Sequence, residues 1–563
     1  MRKKTRWLSL FLTAVLSVSM LAGCGAKDET ASGGLSGDSE SSEQSGSSSE
    51  ALPAVAPDEV EGGTINILFN GAKKDAWDGL YAKFLEDTKD TLGIELNITW
   101  VEPADYKEKL NLSMLGGDEY DLVFDAAWIH LKELAADGYY ADLSEYFNND
   151  IYPGLKKAFP EQVMQNNKWY GQMCYIPMTR TYGNGIPAVH FRKDWAREWG
   201  IGKDGQIGSM EELIAYWDKA KENDILPLSV TDGRGFYQLF TIGGNGSYEG
   251  TAQAGLQAFT TAGLTIWSYI KDNQVAAIAV EGSGDENFAD FPEPFNYDFG
   301  ADRFEKFAQW QKAGYISADS MTVKDAGTPF YAGESASMIG TLDDTASILS
   351  NFASYSPEAE YGFFVYADSI REMKEGSIPT AFNANNGLAV PASSSRIPQV
   401  MKFLDWMFSD QANHDLFELG IEGTDWEAVG EDRYIGLTEY PDVFPGYAFT
   451  WNPNYVRFSN TIPEDVLVYR KWELKESSFT ALPVCGFNFD TSDVDITTIV
   501  AQVKAITGQV GTTKLHGILS DGTNTYATAE EMMKANWENA KANGAEKLVE
   551  EMKNQLNAYL QSR

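Results

Sequence analysis

Apolar and polar residues alternate over residues 64–69, with Ile65, Ile67 and Phe69 on one side, and a period of two predicts a strand. Asn70-Gly71 ends it. Trp77, Leu80, Tyr81, Phe84 and Leu85 then recur at helical spacing, so a helix follows. Ile94, Leu96, Ile98 and Trp100 alternate again as a second strand. Residues 107–115 read as a helix stopped by Gly116-Gly117, and 121–124 as a short buried strand. This order predicts parallel pairing with right-handed crossovers. Ligands of such sheets gather at the carboxyl ends of the strands, here residues 70–75 and 125–128. Farther on, Val400, Phe403, Leu404, Met407 and Phe408 share one helical face, as do Leu548, Met552, Leu556 and Leu560. Trp267, alternating with Leu264, Ile266 and Tyr269 nearby, reads as packing.

The first residues follow another pattern. Arg2, Lys3, Lys4 and Arg6 precede an apolar run over 8–21, broken only by Ser9, Thr13, Ser17 and Ser19. Charge, apolar run and small residues make a secretory signal, 1–23, too short to span a bilayer comfortably at about 20 residues. Its ending, Leu21-Ala22-Gly23-Cys24, resembles the bacterial lipobox. That resemblance implies a diacylglyceryl thioether on Cys24 and residence on the outer face of the cytoplasmic membrane. Two acyl chains make a stable anchor where one does not. Residues 24–61 carry the lipidated cysteine and a Ser/Gly/Glu-rich tether that can bury no core.

Charge narrows the partners. The 563 residues carry a net charge of −38, and loss of the signal removes four basic residues and no acidic ones. So acidic a chain is not expected to bind nucleic acid, or membrane except through the anchor. About 500 residues after the tether exceed one hydrophobic core, so two or more lobes are expected. Cys174 and Cys485 could pair, but their sequence separation carries no geometry. His130, His190, His414 and His516 show no metal-ligand spacing, and no nucleophile elbow, P-loop or C-x-x-C occurs. No catalytic residue, cofactor or metal is therefore expected, although 82 acidic residues leave a glycosidase pair open to counting.

Several stretches carry a family resemblance. Residues 121–147 (DLVFDAAWIHLKELAADGYYADLSEYF) resemble a strand, loop and helix of extracellular solute-binding proteins of ABC importers. Asn166-Asn167-Lys168-Trp169-Tyr170-Gly171 with Ile176-Pro177, residues 302–319, and 332–340 (AGESASMIG) match further elements in the same order. Residues 386–423 match best: a returning strand, a Ser-rich cap, a helix, then Gly-Ile-Glu-Gly. The chain is most similar to large Gram-positive lipoproteins of the sugar-binding group. The resemblance implies an α/β fold of two lobes, with crossing hinge strands and a ligand cleft between them. Lobe one would hold 62–180 plus 380–440, and lobe two 181–379 plus 441–563. It also implies an oligosaccharide ligand, delivery to the permease subunits of an importer, and a monomeric receptor. A receptor for peptide or another polar solute, and a secreted glycan-active enzyme or adhesin, remain as alternatives.

A sugar needs aromatic plates for its C–H faces and hydrogen-bonding groups for its hydroxyls. Trp128 beside Asp125 offers both, and the resemblance supports a Trp and an Asp in this loop; Trp128 is equally open to a core role. Asn70, Lys73 and Asp75 follow the first strand. Tyr182 stands where the first hinge enters lobe two, and Asn383 and Asn385 at the return crossing. Asp343 follows 338–340, where relatives often carry an aromatic residue. Phe236, Trp451, Asn452 and Tyr455 are the other candidates for the second wall.

Overall fold

The alternation at 64–69 forms β1 (Gly63–Asn70), with Ile65 and Ile67 enclosed. α1 (Ala76–Thr88) covers it through Trp77, Leu80 and Phe84. β2 (Ile94–Val101) pairs with β1 in parallel. α2 (Pro103–Gly116) starts on proline, where a missing N–H costs no helix bond, and stops at Gly117. Gly117 has φ 73°, a left-handed cap that favours glycine. β3 (Leu122–Ala126) joins β1 in parallel, as the strand–helix order predicts. α3 (Leu131–Ala136), α4 (Pro153–Ala158) and α5 (Glu161–Asn166) lead to β4 (Tyr175–Met178).

The chain then enters a second sheet with β5 (Pro187–Arg192), α6 (Lys193–Glu198), α7 (Met210–Glu222) and β6 (Leu226–Ser229). An antiparallel meander follows, β7 (Leu256–Thr261), β8 (Leu264–Lys271) and β9 (Gln274–Val280). Next come α8 (Phe299–Ala313), α9 (Gly327–Tyr331), β10 (Ser335–Thr341), α10 (Thr345–Tyr355), β11 (Tyr361–Phe364), α11 (Asp368–Arg371) and β12 (Ile378–Thr380). The return crossing delivers β13 (Asn386–Ala389), then α12 (Ile397–Ser409) and α13 (Gln411–Leu419). A small sheet of β14 (Trp426–Val429), β15 (Arg433–Gly436) and, after α14 (Tyr447–Thr450), β16 (Phe458–Ser459) comes next. α15 (Glu464–Trp472), β17 (Phe479–Ala481), α16 (Val494–Thr513), α17 (Ala529–Ala542) and α18 (Ala545–Gln561) complete the chain.

This is a computed structural model. It describes residues 53–562 apart from 148, 179–180, 184, 243–245, 385, 439–446 and 451, and the backbone alone of 238, 447 and 448. Cys24, the signal and most of the tether lie outside the described residues.

The first sheet has the order β2-β1-β3-β13-β4 and the second β11-β5-β10-β6. β13 returns between β3 and β4, antiparallel to both. Gly387 in β13 permits this, because a Cβ there would lie 1.9 Å from the Tyr175 ring. The sheets are joined by the crossings 179–186 and 381–385, and β12 pairs with β17 in parallel beside them. The architecture is mixed α/β, as expected.

Packing follows the sequence stripes. Val400, Phe403, Leu404, Met407 and Phe408 of α12 are buried, as is the Leu548, Met552, Leu556, Leu560 stripe of α18. Enclosing each such side chain contributes about 1.5–3 kcal/mol. Trp267 is enclosed in the meander and donates to Glu281 (3.0 Å), a packing role. Phe449, expected with the second lobe, has its ring 5.1 Å from Phe69 and 6.0 Å from Phe417, against first-sheet elements. Cys174 and Cys485 are both buried and do not bond to each other.

Candidate functional site

The carboxyl ends of the first sheet converge on one edge. Asn70 ends β1, Ala126 ends β3, and the antiparallel β13 starts there, with Asn386 opposite both Ala126 and Met178. After β3 the chain turns at once, Ile129 N–H reaching the Ala126 carbonyl (2.9 Å). Ile129 points into the core, and Ala127 and Trp128 at the tip point out. Trp128 is 60% exposed, so it is not core packing. Its indole N–H donates to Asn386 Oδ1 (2.9 Å), which holds the ring edge and leaves its face open.

Asp125 does something other than the sequence suggests. It is fully enclosed, and its carboxylate accepts from Tyr140 Oη (2.6 Å), Ala126 N–H (2.7 Å) and His130 N–H (3.1 Å). Burial raises its pKa, and the Tyr140 hydroxyl and the two amides oppose that rise. Asp125 therefore braces the loop that displays Trp128 and presents no oxygen to a solute.

Asn70 is half-buried, and its Oδ1 is itself enclosed, with no partner among the described residues, so it presents no open acceptor to a solute here. Lys73 forms a surface pair with Asp78 (2.7 Å), and Asp75 is exposed at the start of α1 without a capping bond. Tyr182 wedges into the crossing, its ring 6.1 Å from Phe382 and 6.0 Å from Phe479. Asn383 is exposed on the return crossing. Asn385 and Trp451 lie outside the described residues.

The second sheet ends its strands on a matching edge. Thr341 at the end of β10 pairs with Pro187, where β5 leaves the crossing, and Ser229 ends β6. Beyond these ends opens a cavity of about 280 Å³ lined by Thr231, Arg234, Tyr331, Gly340 and Asp344, among others. Asp344 closes the strand end by accepting the Thr341 N–H (2.8 Å); burial raises its pKa, and that amide and, less, the nearby Arg234 charge oppose the rise. Asp343 is exposed and pairs with Arg470 of α15. Arg234 and Tyr331 were not singled out from sequence. Arg234 had a signal, the polar turn Thr231-Asp232-Gly233 after a short apolar run.

Three expected site residues are placed elsewhere. Phe236 is fully enclosed and stacks on Phe307 (5.7 Å), a core role. Tyr455 is buried behind the first sheet, donating to the Ser409 carbonyl (2.8 Å) under the Lys157 ammonium (4.7 Å). Asn452 is buried beside it and accepts the Asn454 N–H (3.0 Å). Burial and internal bonding remove all three from a solute.

Two sheets, linked by crossing segments at the strand ends that carry the exposed tryptophan and the cavity, define a recognisable class. The model of the bacterial extracellular solute-binding protein family matches residues 70–414. The chain belongs to that family.

This solute-binding protein is 22% identical to lipoprotein LipO of Bacillus subtilis (strain 168) over 439 residues, 76% of this chain and 74% of LipO. It is 26% identical over 165 residues to a carbohydrate ABC transporter substrate-binding protein of Streptococcus pneumoniae serotype 4, covering 28% of this chain and 32% of that relative. Among solved structures, the N-glycan transport solute-binding protein NgtS of Streptococcus pneumoniae matches with a TM-score of 0.67 and 17% identity, over 88% of this chain and 99% of NgtS. An HMO-binding, ABC-transporter-associated solute-binding protein from Bifidobacterium longum infantis matches with a TM-score of 0.53 and 14% identity, over 88% of this chain and 99% of that one. These structures show the two-lobed fold that the solute-binding protein shares. Its family and relatives are substrate-binding proteins, not enzymes.

Proposed function

We propose that this chain captures an oligosaccharide outside the cell and delivers it to the permease of an ABC importer, tethered to the outer face of the cytoplasmic membrane by lipid on Cys24. One observation supports the sugar reading most: an exposed tryptophan at a strand end, with its N–H edge held by Asn386 and its face open. Such a plate suits the C–H face of a sugar ring. Solved structures of NgtS hold Man1GlcNAc and Man5GlcNAc, which makes these two glycans the first probes. The HMO-binding neighbour supports the same ligand class.

The two lobes would divide at the crossings, close to the expected 62–180 plus 380–440 and 181–379 plus 441–563. Phe449 and its surroundings would move with the first lobe. A ligand touching both lobes would favour the closed state by its differential affinity alone. The test is a glycan array followed by thermal shift, because a ligand bound only by the native state raises its stability. The proposal expects saturable stabilisation by at least one oligosaccharide. Stabilisation by peptides and by no glycan would replace it.

A further inference from the structure

A second cavity, of about 220 Å³, lies beside the return crossing. Its aromatic walls come from different parts of the fold. Trp169, in the hairpin before β4, packs on the first core. Phe259 of β7 and Phe487 after β17 pack on the α16–α18 core, their rings 5.5 Å apart. Lys168, Asn383 and Asn488 are among the polar residues that line it, with Asn166 and Gln257. The carboxamides of Asn383 and Asn488 are exposed and make no hydrogen bond among the described residues.

Beneath this lining the floor is rigid. Asn167 is 1% exposed, and its Oδ1 accepts from Tyr175 Oη (2.5 Å) and Ala384 N–H (2.7 Å) while its amide donates to the Phe382 carbonyl (2.8 Å). Asn383 is thus fixed between two clamped neighbours. Trp169 is held in its hairpin by paired backbone bonds with Gln172 (2.9 Å each). Pre-organisation of this kind lowers the entropy lost on binding.

We propose that this cavity is a second sugar subsite, so that one glycan runs from Trp128 along the return crossing to Trp169. The inference rests on the oligosaccharide reading above. The volume falls below the roughly 300 Å³ of drug-sized pockets, which suits one ring and not a whole chain. Asn383 lies three residues before Asn386, the partner of Trp128. Amide donors and acceptors between aromatic walls match ring hydroxyls and C–H faces.

The test is equilibrium titration of the full chain with Man1GlcNAc and Man5GlcNAc, or with the shortest and longest binders from the array if neither binds. Trp169→Ala also removes packing on the first core, so Asn383→Leu/Asn488→Leu, both exposed, is the second variant. Each variant should weaken the long glycan at least tenfold and the short one less than threefold, with secondary structure unchanged by circular dichroism. Equal weakening of both glycans, or none, overturns the subsite while the sugar reading stands. An array without any glycan binder overturns both.

Discussion

Trp128 and His190 show how a single environment sets a residue's task. Trp128 is displayed by a turn, not enclosed, so removing it should leave folding nearly intact. Trp128→Ala should weaken glycan binding by about 1–3 kcal/mol, as for aromatic anchors elsewhere, or roughly tenfold to a hundredfold in Kd. Its melting temperature should stay within about 2 °C of wild type. A large fall in melting temperature with normal affinity would place Trp128 in the core, where such truncations cost about 3–5 kcal/mol. His190 is enclosed in β5, bonded through Nδ1 to the Tyr361 hydroxyl (2.9 Å) with Asp344 near its other edge. Burial pushes its pKa from 6.5 down to about 4. A folded pKa below the unfolded one gives stability that is present above pH 6.5 and lost as pH falls through 4. The loss is worth on the order of 3 kcal/mol. His190→Gln should flatten the difference in unfolding free energy between pH 7 and pH 4 by part of that amount. An unchanged pH dependence would show that His190 does not couple to folding.

At the level of elements, the segment that joins the sheets depends on one side chain. Asn167 ties the end of α5 to the return crossing and to β4. Asn167→Ala would leave buried donors and acceptors unpaired, at about 1–3 kcal/mol for each group. Urea unfolding should show a loss of at least about 3 kcal/mol; a loss under 1 would mean the crossing holds without the clamp. Elements with one clean period were legible in the sequence: β1, α12 and α18 bury the residues their stripes predict, and α1 buries Trp77, Leu80 and Phe84 while Tyr81 and Leu85 are half-buried. The parallel pairing of β1 with β2 and β3 followed from strand–helix alternation; their order did not. The candidate site was less legible, because exposure is a tertiary property. Gly235-Phe236-Tyr237 looks like a displayed loop, yet the Phe236 N–H meets the Leu515 carbonyl (2.7 Å) and its ring meets Phe307, both far along the chain. Tyr455 follows Asn-Pro-Asn like a surface turn, but α13 and α4 close over it. Asp125 beside Trp128 suggested a binding pair; strand alternation turned the acid inward to Tyr140.

On the proposed function the whole molecule combines a lipid anchor, two lobes and a bound glycan. Cys24→Ala should move the protein from the membrane fraction to the medium, and continued detergent-dependent partitioning would remove the anchor from the account. With saturating glycan, small-angle scattering should give a smaller radius of gyration; an unchanged value with binding confirmed would place the site on one lobe. The most direct measurement is calorimetric titration of the full chain with array-selected oligosaccharides, followed by recovery and sizing of the glycan. The account predicts saturable binding of one glycan per chain, recovered intact. No heat from any oligosaccharide, or shortened products in excess over protein, would contradict it.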